Sequence, residues 1–135
     1  MPLLDITICN PTKAIASFKR ALTEGKGFQP EAHTGLGLFY KEKAEGAGAA
    51  GDYDAEKANY LLASNSLRAG ITQLAGAPDA EILYQLLGDI YEKSQNYKQA
   101  IATYEEFLRI FPDSNDASAV RSMMVQIKKQ MNGEQ

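Results

Sequence analysis

The chain has 135 residues, enough for one domain around one core. It is 44% hydrophobic and 23% charged with a formal net charge of -3; that is ordinary globular composition, and too mild a charge to call for nucleic acid. A single cysteine, Cys9, and a single histidine, His33, exclude an internal disulfide and a Cys/His zinc site within one chain.

No stretch approaches the ~20 apolar residues of a membrane span, so no membrane insertion is expected. Residues 1–9 lack a basic leader and a long apolar run. Ile8 before Cys9 is too large for a lipoprotein signal. The expectation is a soluble protein, cytoplasmic by default, or periplasmic if a leader precedes this sequence.

Helical periodicity governs the pattern. Asn10-Pro11 reads as an N-cap with proline in the first turn. A helix over residues 10–24 follows, with Ala14, Ile15, Phe18, Ala21 and Leu22 on one face. Gly25-Lys26-Gly27 and Pro30 mark a turn. A second helix is predicted over 31–44, with apolar Ala32, Leu36, Phe39 and Tyr40. His33 falls inside it and reads as a helix residue, not as a triad member. Gly35 and Gly37 also fall inside it, each costing about 1 kcal/mol relative to alanine, which suggests close approach of a neighbour.

Residues 45–52, with three glycines, read as a mobile loop. A third helix is predicted over 54–74 with the stripe Tyr60, Ala63, Leu67, Ile71 and Leu74. Asp79 reads as the N-cap of a fourth helix running to 93. Residues 94–96 are a short turn, and a fifth helix spans 97–110, ahead of Pro112. Asp113-Ser114-Asn115 is a further capping cluster. The sixth helix, 116–131, carries Ala117, Val120, Met124, Ile127 and Met131. Its Lys128-Lys129 complements a helix dipole. The class is all-α, with about six helices.

The fourth and fifth helices carry a spaced motif. Tyr84-x2-Leu87-Gly88-x2-Tyr91 is followed by Ala100-x3-Tyr104 and Pro112. Leu87 and Tyr91 share a face one turn apart. Gly88 and Ala100 are small where two helices would cross. This resembles the tetratricopeptide repeat, with Tyr for the usual Trp and Phe. Phe107 stands where that family usually has a small residue, which suggests looser or bulkier packing against the next helix.

Ala32-x3-Leu36-Gly37-x2-Tyr40, with Tyr60, Ala63, Leu67 and Gly70, resembles a degenerate second copy, lengthened by roughly 14 residues over the usual ~34. An alternative register would make Gly51-Asp52-Tyr53 the turn and Ala58 the small crossing residue. The resemblance implies antiparallel hairpins stacked as a short right-handed α-solenoid. Its parts would be a leading half repeat at 10–24 and a degenerate repeat at 31–75 with the glycine-rich insertion 45–52. A well-formed repeat at 79–112 and a capping helix at 115–131 would complete one domain over 1–135.

The resemblance also implies function: a non-catalytic adaptor or scaffold binding a peptide or helix of a protein partner in a concave groove. The groove residues it implies are Thr34, Leu38 and Lys41 on the second helix. On the fourth they are Gln85, Asp89 and Glu92. Thr34, Leu38, Gln85 and Asp89 offer none of the Lys and Asn of the carboxylate clamp found in co-chaperone repeats. The mixed, slightly acidic set suits a basic or amphipathic helical ligand.

The alternative is a structural or self-associating subunit, a homo-oligomer through the N-terminal helix or the C-terminal cap. It could equally be part of a longer bacterial envelope-assembly protein, which residues 104–114 also resemble. Neither catalysis nor a cofactor is expected. Glu105 and Glu106 point to different faces. Asp52, Asp54 and Glu56 lack the calcium-loop pattern. Gly46-x-Gly48-x-x-Gly51 has no strand before it, as a dinucleotide site requires.

Overall fold

The computed structural model of the protein describes residues 15, 16, 19 and 29–133. Among these the chain is all-α: α1 Pro30–Ala49, α2 Tyr53–Leu74, α3 Ala80–Lys93, α4 Tyr97–Ile110 and α5 Ala117–Met131. The helix expected over 10–24 lies outside the described residues, apart from Ile15, Ala16 and Lys19, which are helical. The chain divides into two compact units, residues 1–73 and 74–135, and each is described by itself.

In the first unit, Pro30 opens α1 with its fixed φ. The backbone N–H of Gln29 donates to Gln73 Oε1 at 2.6 Å, tying the start of α1 to the end of α2. The helices meet at Gly37. A Cβ there would sit 2.7 Å from Leu67 Cγ and 3.5 Å from the Ala63 carbonyl oxygen. Ala63 is fully buried, whereas Ala58 is exposed, so Ala63 is the small residue at this crossing. Ala32 and Leu36 form a buried cluster joined by Tyr40 and by Ile15.

The glycine-rich segment 45–52 corrects the sequence expectation of a mobile loop. α1 continues through it to Ala49, and the turn is confined to Ala50, Gly51 and Asp52. Two causes oppose the glycine penalty. Alanine, the best helix former, alternates with the glycines, and Ala44 is buried just before them. Gly51 makes the turn at φ 82°, and Asp52 Oδ1 accepts the Ala55 N–H at 3.2 Å to start α2. The extra chain is therefore helix: α1 and α2 have 20 and 22 residues, against 14 in each of α3 and α4.

In the second unit, α3 and α4 form an antiparallel hairpin and α5 packs on α4. Leu83, Leu87 and Ile90 of α3, Ala100, Tyr104 and Phe107 of α4, and Val120, Met124 and Ile127 of α5 are all buried. The steps of three and four seen in the sequence are these faces. Ala75 and Gly76 take positive φ in the turn before α3, and Gln95 does so between α3 and α4.

Asp79 precedes α3 but makes no side-chain capping bond. Backbone turns do that work instead, with Ala80 N–H donating to Ala77 O and Glu81 N–H to Pro78 O. Ser114 does serve the start of α5, its Oγ accepting the Asp116 N–H at 3.1 Å.

Phe107 is fully buried. Its ring packs at 6.5 Å from Tyr84 and 5.6 Å from Phe111, and Tyr84 and Phe111 are themselves 6.1 Å apart. Phe107 is thus one member of an aromatic trio with Tyr84 and Phe111.

Candidate partner-binding face

Gln85, Asp89 and Glu92 recur at helical spacing, so they share one face of α3, beside the buried Leu87 and Ile90 stripe. All three are half-buried. Gln85 Nε2 donates to Asp116 Oδ2 at 3.0 Å. Asp89 pairs with Lys93 at 3.2 Å, an i,i+4 bridge worth a few tenths of a kcal/mol. Burial, and then the neighbouring Asp89, raise the carboxyl of Glu92 above its usual range, with Lys93 acting in opposition.

At the N-terminal end of the same face, Pro78, Asp79, Glu81, Ile82, Gln85, Ser114, Asn115 and Asp116 line an open concavity. Ser114 Oγ donates to Glu81. Ile82 is 56% exposed within this polar rim. Ile82, Glu81 and Asp116 are absent from the groove residues expected from sequence. Ile82 was legible there, as an isoleucine off the Leu83, Leu87 and Ile90 stripe. The meeting of Ser114 with Glu81 and of Gln85 with Asp116 depends on how the α4–α5 loop folds back.

The α1 residues lie in the other unit. Thr34 is half-buried and its hydroxyl donates to the Pro30 carbonyl at 2.8 Å. Leu38 is exposed, and Lys41 is bridged to Glu45 at 3.0 Å. Half-buried His33 has its imidazole pKa lowered by burial. The Gly46 to Gly51 pattern lies at the end of α1 and its turn, directly after helical residues. Among the described residues no group of His, Cys, Asp or Glu is arranged to hold a metal ion. No helix among them is long and apolar enough to cross a membrane.

Behind the α3 face, Tyr104 is nearly fully buried and lies against Gly88. Burial, then Glu92 and Asp89, push its phenol up to about 12. The unfolded chain releases this proton near the ordinary value of 10, before the folded chain does. Stability conferred by Tyr104 is therefore intact below pH ~10 and lost as pH rises from there towards 12, by up to about 2–3 kcal/mol. Tyr104→Phe is expected to flatten the fall of the melting temperature between pH 9.5 and 11.5, which calorimetry of both proteins can measure.

Comparison with known proteins agrees with the hairpin. No curated protein and no solved structure matches the chain. Residues 82–114 match the family model described as tetratricopeptide repeat, spanning Tyr84, Leu87, Gly88, Tyr91, Ala100, Tyr104 and Pro112 in their expected order. The helical hairpin of α3 and α4, with the loop that leads into α5, is thus the part of the chain that is similar to a tetratricopeptide repeat.

Proposed function

We infer that the protein is a non-catalytic adaptor that holds a helix or peptide of a protein partner in a concave groove along the Gln85, Asp89 and Glu92 face of α3. Tetratricopeptide repeats generally mediate protein–protein interactions, and the family is generally non-catalytic. The observation that carries the reading is Ile82, exposed in a concavity whose charged lining residues, Asp79, Glu81 and Asp116, are all acidic. An apolar anchor inside a polar rim is the usual composition of a contact surface. Asp89 and Glu92 continue the acidic character along α3. A basic, amphipathic ligand fits this composition. Thr34, Leu38 and Lys41 are the equivalent candidates on α1.

Affinity capture from the source cell tests the reading. The Gln85→Ala/Asp89→Lys protein is expected to keep the wild-type melting curve and lose at least about tenfold of the captured partner, the effect of about 1.4 kcal/mol. Equal capture by both proteins would remove the α3 face from the interaction.

A second reading, a structural or self-associating subunit, is favoured by Val125 and Met131 on α5, which are 53% and 40% exposed. Light scattering separates the two. A mass above one protomer that Val125→Asp lowers supports self-association through the cap. Loss of that mass on deleting residues 1–24 supports the N-terminal helix.

A further inference from the structure

The methionines of α5 sit in three environments: Met124 is buried, Met131 exposed and Met123 half-buried. Met123 has a specific neighbour. Tyr104 on α4 is 1% exposed, and its hydroxyl donates to Met123 Sδ at 3.8 Å. A thioether is a weak acceptor, so this buried O–H recovers little of what it lost on leaving water. A phenylalanine would have served the packing of this ring alone. The hydroxyl adds a strong donor at a place where the protein supplies a poor acceptor.

The geometry points to Met123 as a modification site: a peroxide-sensitive thioether whose sulfoxide oxygen is received by the Tyr104 hydroxyl. In the reaction the sulfur lone pair attacks one oxygen of a peroxide. The O–O bond breaks and an S–O bond forms. The proton on the transferred oxygen passes to the departing hydroxide, which leaves as water. Sulfur loses two electrons and the peroxide gains them. A sulfoxide in a core is ordinarily disruptive, because its polar oxygen finds no donor. Here the donor is already in place. The phenol is protonated at neutral pH, and burial, then Glu92 and Asp89, keep it so into the alkaline range. Oxidation thus replaces a weak contact between α4 and α5 with a strong one, and the C-terminal helix is held more firmly under peroxide stress.

The test treats the purified full chain and its Tyr104→Phe variant with hydrogen peroxide, followed by peptide mass spectrometry and thermal melts. The variant carries the residue usual in the family at this position, so it is expected to fold. Met123 is expected to convert to the sulfoxide in both proteins while Met124 remains a thioether. The wild-type melting temperature then holds or rises by about 2–4 °C, whereas that of the oxidised variant falls by about 4–8 °C relative to its reduced form. The other methionines oxidise alike in both proteins, so the comparison cancels them. An unmodified Met123 at a dose that fully converts Met131 would overturn the proposal. So would an equal fall in melting temperature in the two proteins.

Discussion

Phe107→Ala is expected to destabilise the protein by about 3–5 kcal/mol, the usual cost of truncating a fully buried aromatic ring. Phe107 is fully buried and shares the trio with Tyr84 and Phe111. Aromatic pairs add about 0.5–1.5 kcal/mol beyond the area they bury. Removing the ring would also strip packing from Tyr84, whose hydroxyl donates to Glu106 Oε2 at 2.7 Å. Collapse of neighbouring side chains into the space sets where in the range the value falls. Urea unfolding followed by circular dichroism measures it. A loss below about 1 kcal/mol would mean that Phe107 is dispensable, as the small residue usual at this position in the family suggests.

The second large effect is a coupling. Gly88 is buried on α3, and a Cβ there would clash with the Tyr104 ring, 2.5 Å from Cε1. The ring is held by α4 on one side and reaches Met123 of α5 on the other, so it has little room to retreat. Gly88→Ala should therefore cost about 1–3 kcal/mol from overpacking, against a gain of up to about 1 kcal/mol from helix propensity. In a Tyr104→Leu background the clash is relieved, and the same substitution should be neutral or stabilising. The expected coupling energy between the two positions is about 1–3 kcal/mol. Additive effects in the double-mutant cycle would contradict the crossing at Gly88.

The hairpin was legible in the sequence because its information is local. Leu83, Leu87 and Ile90 recur at helical spacing, and so do Ala100, Tyr104 and Phe107. Small residues mark the crossing, and Pro112 follows the end of α4. The bounds of α3 and α4 agree with the sequence expectation almost to the residue.

The glycine-rich segment was misread because glycine's cost is local, whereas its compensation is tertiary. Ala44 is buried just before the glycines, and nothing in the order of residues announces that packing. The size of Phe107 was visible in the sequence; its ring contacts with Tyr84 and with Phe111, beyond the end of α4, were not.

The candidate face was partly legible. Gln85, Asp89 and Glu92 share a face by spacing alone. The cleft beside them is completed by Ser114 and Asp116, far along the chain, which meet α3 only once α4 has turned back.

Amide chemical shifts of the labelled protein, recorded with and without a captured partner, test the α3 face most directly. The largest changes are expected at Ile82, Gln85, Asp89 and Glu92 and at the adjoining Ser114 and Asp116, with α5 beyond Val120 little affected. Changes confined to Val125, Met131 and their neighbours, with the α3 face unmoved, would contradict it.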